Sequence, residues 1–281
     1  MSKLKDFSGL IIPKYIPLAI FGAFLGAVIT TQTIPGYNFI ILAIILTSIV
    51  SAFNAFNAIA DKEIDKINKP HRPLVSNKFT ESQVILITIL FYSLAILLSL
   101  LINIQTIIIT LISILITVLY SLKPIYLKKR FIIGNFSGAV LYAVLCPLAG
   151  WSLTPQNPLN PILFFFLFIL GIGLSFVKDF EDSLGDGIHQ IRSLPVVIGK
   201  KPTVILVIML EIFAFSIILY SIFANELTLK YSILLVMIIP FIFYTNKFQY
   251  INNLVNDQEI FKKIIYLILT SELIIILLNL I

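Results

Sequence analysis

The sequence predicts an all-α membrane protein with nine transmembrane helices around a central cavity. Of its 281 residues, 59% are hydrophobic and only 12% are charged, and its mean hydropathy is +1.03. Soluble globular domains contain roughly 25% charged residues. The apolar residues also occur in runs of about twenty, the length that a helix needs to cross a bilayer core of about 30 Å. No low-complexity or Ser/Gly-rich linker interrupts these runs, so we expect one domain over residues 1–281.

The apolar runs define the expected helices in chain order. Residues 80–83, Thr-Glu-Ser-Gln, have the pattern of a capping box, so the third span should begin there. The nine expected spans are 15–32, 39–59, 82–102, 104–122, 133–152, 159–178, 202–223, 230–247 and 262–281.

The basic residues alternate sharply between successive loops. Of the 20 lysines and arginines, all but Lys230 lie in the N-terminal segment or beside the loops after the second, fourth, sixth and eighth spans. The positive-inside rule therefore predicts a multi-pass protein of the cell membrane with a cytoplasmic N-terminus and an external C-terminus. The net charge of +6 follows from this topology, so we expect no nucleic-acid partner. The single cysteine, Cys146, excludes an intrachain disulfide.

Polar chemistry concentrates at two helix ends on the predicted cytoplasmic side. The first acidic segment, residues 57–73, follows the second span, and its Asn57, Asp61 and Asp65 lie at i, i+4 and i+8. If the preceding helix continues through it, the three side chains share one face. The second acidic segment, residues 178–186, follows the sixth span. It carries three aspartates at i, i+3 and i+7, namely Asp179, Asp182 and Asp186.

These two segments hold seven of the chain's 14 acidic residues. Carboxylates at the membrane boundary are costly unless they are paired or bound to a cation. Clustered oxygen ligands suit Mg²⁺, which typically joins carboxylates to substrate phosphates. Nearby bases could contact the phosphate oxygens directly; they are Lys62, Lys66, Arg72, Lys128, Lys129, Arg130, Lys178 and Arg192. The alternative is that these charges only solvate loop ends, but two segments of similar spacing on one side favour a binding site.

Three stretches of the chain carry a family resemblance. They read NAIADKEID (57–65) with NKPHRPL (68–74), YSLKPIYLK (120–128) with Gly134-Asn135, and KDFEDSLGD (178–186) with Ser193-Leu194-Pro195 and Gly199-Lys200. In this order they resemble the signature segments of the UbiA-type intramembrane prenyltransferases, and the resemblance spans nearly the whole chain. One departure is Ala58, where the family commonly has an acidic residue.

The resemblance implies transfer of a prenyl group from a polyprenyl diphosphate to an acceptor, with Mg²⁺ held between the two aspartate motifs. The implied metal-associated residues are Asn57, Asp61, Asp182 and Asp186, supported by Asp65 and Asp179. Tyr120 and Lys128 would lie near the diphosphate and act in catalysis with Asp61, Asp65, Asp182 and Asp186. The implied substrate-binding residues are Asn57, Arg72, Lys128, Lys178, Asp179 and Arg192.

Within the family, both acidic segments look most like those of the archaeal lipid enzymes. Those enzymes add a second geranylgeranyl chain to geranylgeranylglyceryl phosphate, so this lipid is the expected acceptor, with membrane lipids as surroundings. A quinone, haem or chlorophyll precursor is the alternative acceptor within the family. A transporter of cations or organic anions is the alternative from another class, although a transporter would favour polar groups at the membrane midplane. The sequence leaves the oligomeric state open.

Two acidic residues lie within predicted spans instead of at their ends. Glu211 and Glu272 fall near the middles of the seventh and ninth spans. Isolated carboxyl groups at this depth are costly and are usually buried against a partner. We expect structural hydrogen bonds for both, with a role in acceptor activation as the alternative.

Overall fold

The computed structural model describes residues 3–250 and 254–281, and these residues form an all-helical structure. The helices are α1 (Lys3–Ile11), α2 (Ile16–Thr31), α3 (Asn38–Ala60), α4 (Lys62–Asn68), α5 (Glu81–Ser99), α6 (Ile104–Ser121), α7 (Ile133–Val140), α8 (Cys146–Trp151), α9 (Pro161–Lys178), α10 (Ser183–Ile188), α11 (Leu194–Val197), α12 (Lys200–Phe223), α13 (Ile238–Lys247) and α14 (Leu254–Leu280).

The predicted number of membrane-spanning helices is confirmed. By length and composition, nine helical segments of the described ranges could cross a membrane: Pro13–Thr31, Asn38–Ala60, Glu81–Ser99, Ile104–Ser121, Ile133–Trp151, Pro161–Lys178, Lys200–Phe223, Leu229–Tyr250 and Asn256–Leu280. The largest difference between a predicted and an observed boundary is at the last span, which begins at Asn256 instead of residue 262. Its polar first turns remain helical, with Glu259 and Lys263 paired at 3.1 Å one turn apart.

Local signals in the sequence explain several helix boundaries. The predicted capping box forms at the start of α5: the Gln83 backbone N–H donates to Thr80 Oγ1, and the Thr80 N–H donates to Gln83 Oε1. Asn160 caps α9 by accepting from two backbone N–H groups, and Pro161 follows at the first helical position. Proline is favoured there because a backbone N–H in the first turn has no acceptor within the helix, so no hydrogen bond is lost when proline lacks this group.

Two of the spans change helix type inside the membrane. The span Ile133–Trp151 contains a π-helical turn at Leu141–Leu145, directly before Pro147 in the first turn of α8. Proline cannot donate the usual helical hydrogen bond and clashes with the carbonyl one turn earlier, so a π turn accommodates it. The span Leu229–Tyr250 begins as a 3₁₀ helix, Leu229–Met237, before it continues as α13.

The outer faces of the bundle are apolar, as expected for contact with lipid. Only 22% of the α5 span and 28% of the α6 span is buried inside the protein. The residues of α5 that face outward include Leu86, Leu90 and Leu97. Contact of these apolar side chains with water is unfavourable, whereas contact with lipid hydrocarbon is favourable.

Helices α2 and α8 approach each other so closely that their backbones touch. A Cβ atom on Gly26 would lie 1.9 Å from the carbonyl oxygen of Pro147, and one on Gly150 would lie 1.8 Å from that of Ala23. Real side chains do not reach such distances, so these two positions require glycine. Small residues at helix contacts are typical of membrane bundles, where van der Waals packing drives association.

This contact generates a prediction about stability. Gly26→Ala should lower the free energy of unfolding by roughly 1–3 kcal/mol, because the added methyl group forces α2 and α8 apart. We would measure the melting temperature of the purified protein in detergent. Gly36→Ala is the matched control, since a Cβ at Gly36 meets no atom within 4 Å. Equal melting temperatures for the two variants would contradict the proposed backbone contact.

Candidate functional site

The first acidic segment begins where α3 ends. α3 stops at Ala60, Asp61 leaves helical geometry with φ −93° and ψ 4°, and α4 starts at Lys62. Backbone hydrogen bonds nevertheless continue through the break, from Asp61 N–H to Asn57 C=O at 2.9 Å and from Asp65 N–H to Asp61 C=O at 2.7 Å. The helix therefore does not run uninterrupted through the segment, but Asn57 and Asp61 still lie on one side.

Asp61 is buried and receives three side-chain hydrogen bonds. Asn57 Nδ2 and Lys128 Nζ donate to its Oδ2 at 2.7 and 2.5 Å, and the Tyr126 hydroxyl donates to its Oδ1 at 3.0 Å. Burial opposes ionisation of Asp61, but the charge and hydrogen bond of Lys128 outweigh it and lower the pKa of Asp61. The same interaction raises the pKa of Lys128 against the effect of its own burial. Both groups are therefore held in their charged forms.

Asp182 in the second acidic segment is neutralised in the same way. Lys69 Nζ donates to Asp182 Oδ1 at 2.5 Å and lies 3.4 Å from Glu181 Oε1, while Lys178 Nζ is 3.7 Å from Asp182 Oδ2. Burial alone would raise the pKa of Asp182, but the three lysines around it, including Lys128, lower that pKa. Lys69 belongs to the first acidic segment, so this ion pair joins the two segments.

Asn68 forms the second connection between the acidic segments. Its Nδ2 donates to the Asp182 backbone carbonyl at 2.9 Å, and its Oδ1 accepts from the Gly185 backbone N–H at 2.8 Å. All these atoms are buried. A Cβ on Gly185 would lie 2.6 Å from the Asn68 amide, so only glycine allows this approach. The short helices α4 and α10 are thereby packed against each other.

Two further aspartates have partners of their own. Asp65 accepts from Arg72 Nη1 at 2.7 Å, and Asp179 Oδ2 accepts from Asn135 Nδ2 at 2.8 Å. Burial raises the pKa of Asp65, and the charge of Arg72 offsets only part of this effect. Burial likewise raises the pKa of Asp179, against the charge of Lys178 and the hydrogen bond of Asn135. Both carboxyls are thus held in place by one directed contact each.

Two buried carboxylate oxygens of the acidic segments have no hydrogen-bond donor within the part of the chain that the structure describes. They are Asp186 Oδ1 and Glu181 Oε2. Burial raises the pKa of Asp186 to about 7, because the attraction of Lys128 is countered by repulsion from Asp182 and Asp179. Across residues 3–250 and 254–281, no three acidic, histidine or cysteine side chains already converge as a metal cluster. The two unpartnered oxygens nevertheless have the chemistry that a hard divalent cation requires.

A large cavity opens beside these acids. It comprises about 1040 Å³ of space free of protein atoms, part of which is open to solvent. Its polar lining residues are Asn54, Asn57, Asp61, Lys69, Arg72, Ser175, Lys178, Asp182 and Glu272. Its remaining walls are apolar and include Leu18, Ala139, Ala143, Leu167, Leu174 and Ile268. The cavity can therefore hold a ligand with an anionic head and a hydrocarbon chain.

Five aromatic rings line the same cavity: Tyr15, Phe53, Tyr120, Tyr142 and Phe261. Tyr120 and Phe53 meet edge to face at 5.2 Å between ring centres, and Tyr15 lies 6.2 Å from Tyr142. These contacts fix the rings around the space next to the acids. A ring face attracts a cation through its quadrupole, so these walls suit a positively charged carbon centre as well as hydrocarbon.

The site residues predicted from the sequence occupy different positions relative to the cavity. Those that line it are Asn57, Asp61, Arg72, Tyr120, Lys178 and Asp182. Asp65 and Lys128 each pair with a residue of that lining. Arg192 is exposed, lies 5.7 Å from the centre of the Phe131 ring and is outside the cavity lining. The functional roles of all these residues remain predictions.

Sequence reasoning assigned no role to four residues that hold the site together. Lys69, Asn68, Tyr126 and Asn135 each donate to an acid of the two segments or to its backbone. All four stand inside the three stretches that carried the family resemblance, which is the signal that could have identified them. Their contacts span distant parts of the chain, so spacing alone did not reveal them.

The two acidic residues within the spans differ in their surroundings. Glu211 accepts from the Thr245 hydroxyl at 2.5 Å, in line with the expected structural hydrogen bond. Glu272 lines the cavity, and its buried Oε2 has no hydrogen-bond partner among the residues that the structure describes. The expectation of a structural hydrogen bond is therefore met at Glu211, and no such bond involves Glu272 Oε2.

Comparison with known proteins finds similarity over most of the chain. The model of the UbiA prenyltransferase family matches residues 19–268. Among curated relatives, the digeranylgeranylglyceryl phosphate synthase of Methanocaldococcus jannaschii is 37% identical over 207 residues, which is 72% of this chain and 70% of the relative. The synthase of the same name from Methanosphaera stadtmanae is 30% identical over 159 residues, and the match spans 57% of each chain.

Solved structures share the whole fold. A structure concerning digeranylgeranylglyceryl phosphate synthase in membranes is 28% identical and has a TM-score of 0.70, with 100% of this chain and 99% of the other covered. A UbiA homolog from Archaeoglobus fulgidus bound to DMAPP and Mg²⁺ has a TM-score of 0.72 at 16% identity, covering 96% of this chain and 99% of the other. At that identity the second likeness concerns the fold alone.

The contacts of Asn68 generate a prediction that needs no assay of function. Asn68→Ala should lower the free energy of unfolding by about 1–3 kcal/mol, because the buried Gly185 N–H and Asp182 C=O lose their partners. The melting temperature in detergent would report this change. Asn246→Ala is the control, since within residues 3–250 and 254–281 the Asn246 side chain accepts from Gln249, three residues along the chain. A melting temperature that falls equally in both variants would show that Asn68 does not specifically join the segments.

Proposed function

Because the chain belongs to the UbiA prenyltransferase family, we propose that it transfers a geranylgeranyl group from geranylgeranyl diphosphate to the free hydroxyl of geranylgeranylglyceryl phosphate. Diphosphate is released, and the product is the diether phosphate of archaeal lipid synthesis. The relatives named digeranylgeranylglyceryl phosphate synthase support this choice of substrates. The observation that carries the proposal is that both acidic segments meet at the polar end of one largely apolar cavity.

Mg²⁺ is the metal that the donor set fits. The residues that would hold it are Asn57, Asp61, Asp182 and Asp186, with Asp65 and Asp179 in support. The unpartnered oxygen of Asp186 and the oxygen-only chemistry of the set suit a hard cation. When bound, Mg²⁺ neutralises the negative charge that develops on the departing diphosphate.

The basic side chains orient the donor. Lys128, Arg72 and Lys178 stand next to the acids and can turn to phosphate oxygens, to which ammonium and guanidinium groups bind strongly. Tyr120 lies at the same end of the cavity and packs against Phe53. We assign Arg192 at most an indirect role, because it is exposed and outside the cavity lining.

The reaction follows from this arrangement. The allylic C–O bond of the donor breaks, and diphosphate takes the electron pair. The glycerol hydroxyl forms the new C–O bond, and its proton passes to a motif carboxylate or to the departing diphosphate. The aromatic walls exclude water from the allylic cation and face it with their π electrons. The same chemistry would serve a quinone, haem or chlorophyll precursor, so the acceptor decides between the alternatives within the family.

The topology is part of the proposal. We infer a single domain over residues 1–281 whose nine helices surround a central cavity, with the N-terminus in the cytoplasm and the C-terminus outside. The basic loops support this orientation, since only Lys230 of the 20 lysines and arginines falls on the other side. The active site then opens toward the cytoplasmic side of the cell membrane.

The reaction itself provides the first test of this proposal. Purified protein in detergent should convert geranylgeranyl diphosphate and geranylgeranylglyceryl phosphate to the diether phosphate only when Mg²⁺ is present, and a chelator should abolish the product. Asp61→Asn and Asp182→Asn should each reduce turnover by about 100-fold or more, because each removes a negatively charged oxygen ligand of the Mg²⁺ that would stabilise the departing diphosphate. Product and diphosphate would both be quantified. Glu259→Gln, at an exposed surface ion pair, is the control and should retain full activity.

Different failures of this assay have different meanings. Release of diphosphate without diether would refute the acceptor, and a panel of quinone, haem and chlorophyll precursors would then be offered to the same protein. Full activity of Asp61→Asn or Asp182→Asn would refute the assigned site while leaving the reaction intact.

Labelling of single cysteines tests the topology. In a Cys146→Ala background, Lys129→Cys should react with a membrane-impermeant maleimide only after cells are permeabilised, whereas Lys230→Cys should react in intact cells. Both lysines are exposed, so accessibility depends on the side of the membrane and not on burial. The reverse pattern would overturn the proposed orientation.

A further inference from the structure

Lys14 is a cation beside the cavity with no carboxylate in ion-pair contact among residues 3–250 and 254–281. Its ammonium group lies 5.0 Å from the centre of the Tyr15 ring and 5.3 Å from that of Phe261. Both rings line the cavity. Lys14 is half-buried, so it is not an ordinary solvated surface lysine.

The other cations of the site are different, because each already contacts an acid. Lys128 pairs with Asp61 and Arg72 with Asp65, at 2.5 and 2.7 Å. Lys69 and Lys178 both contact Asp182, as described above. Lys14 thus adds positive charge that is not used to neutralise the acidic segments.

A sharp turn in the backbone brings Lys14 to this position. α1 ends at Ile11, and Ile12 adopts a left-handed conformation with φ 48°. A 3₁₀ turn at Pro13–Tyr15 then leads into α2. Left-handed backbone is unfavourable for a β-branched residue, so the surrounding structure must hold Ile12 in place. Ile12 itself lines the cavity, and the turn therefore fixes Lys14 next to it.

The charged groups around Lys14 are two acids and two lysines. The charged groups that act on its ammonium are Glu181, Lys69, Lys178 and Asp182. Lys69 contacts both acids and Lys178 contacts Asp182, whereas Lys14 is in ion-pair contact with neither acid. A lysine ammonium is a compact point charge with three donors, which suits a phosphate monoester.

We propose that Lys14, backed by Tyr15 and Phe261, binds the phosphate of the acceptor lipid. This inference rests on the proposed function, in which two phosphorylated lipids must be held at once. The donor diphosphate uses the acidic segments and the bases paired with them, so the acceptor phosphate needs a separate cation. Phe261 lies near the start of the last span and Tyr15 near the start of the first, which puts the subsite at the same membrane boundary as the acids. A lipid headgroup would lie there while its chain remains in hydrocarbon.

The test compares acceptors with and without the phosphate. Full-length protein in lipid nanodiscs would be assayed with geranylgeranylglyceryl phosphate and with its dephosphorylated form, geranylgeranylglycerol. In Lys14→Gln the KM for the phosphorylated acceptor should rise about tenfold, while the KM for the donor and the turnover of the dephosphorylated acceptor stay unchanged. Lys14→Arg keeps the positive charge and should retain most of the preference for the phosphorylated acceptor. Lys5→Gln, at an exposed lysine of α1, is the matched control.

A second measurement separates this inference from the proposed reaction. Equilibrium binding of geranylgeranylglyceryl phosphate, without donor, should weaken about tenfold in Lys14→Gln and stay unchanged in Lys5→Gln. If the wild type converts the lipid but Lys14→Gln binds it equally well, the Lys14 subsite is refuted alone. Binding that depends on Lys14 without any conversion would refute the reaction and support the subsite. An equal loss of turnover with both acceptors would assign Lys14 a structural role and overturn the inference.

Discussion

Buried carboxylates at the membrane boundary must be neutralised within the protein, and the polar end of the structure depends on this requirement. Asp61 is held by Lys128 and Asp182 by Lys69, each at 2.5 Å. Removing one partner of a buried ion pair typically costs about 3–5 kcal/mol, because the other charge is left without compensation. The loop after α6 and the segment after α4 carry these two lysines. Both must therefore fold against the helix ends that carry the acids, which closes the polar end around one site.

At the polar end of the structure, the acids outnumber the bases in contact with them. This excess of negative charge favours binding of a divalent cation. In the described parts of the chain, four bases at this end form ion pairs with acids, and two further acids have no base in contact. The bases are Lys69, Arg72, Lys128 and Lys178, the paired acids are Asp61, Asp65, Glu181 and Asp182, and the other two acids are Asp179 and Asp186. The acids are two in excess, so one further lysine would offset only one of them, whereas one divalent cation would offset both. A divalent cation also binds phosphate oxygens at the same time, so it can link the acids to a phosphorylated ligand. Lys14 lies outside these ion pairs, so the acids remain the groups that would bind the divalent cation.

The lengths of the apolar runs predicted the membrane spans well, whereas the ion pairs and hydrogen bonds of the site could not be predicted from the sequence. A helix must match the bilayer thickness, so each run of about twenty apolar residues specifies one span. The partner of Asp61 is 67 residues away at Lys128, and the Asn68 amide meets a carbonyl 114 residues away. Such contacts depend on how helices pack, which spacing does not encode. Helical spacing did predict that Asn57 and Asp61 meet, but it did not predict the helix break at Asp61.

The packing of α2 and α8 determines where the cavity can extend. Leu18 lines the cavity, and Gly26 lies eight residues further along α2, about 12 Å deeper at 1.5 Å per residue. There the backbones of α2 and α8 touch at Gly26 and Gly150, so no channel can continue between these two helices. A hydrocarbon chain that enters from the acidic end must therefore turn toward other walls, which include Leu167 and Ile268. The same glycines that hold α2 and α8 together thus close the space between these two helices, and apolar walls of the cavity lie on α9 and α14.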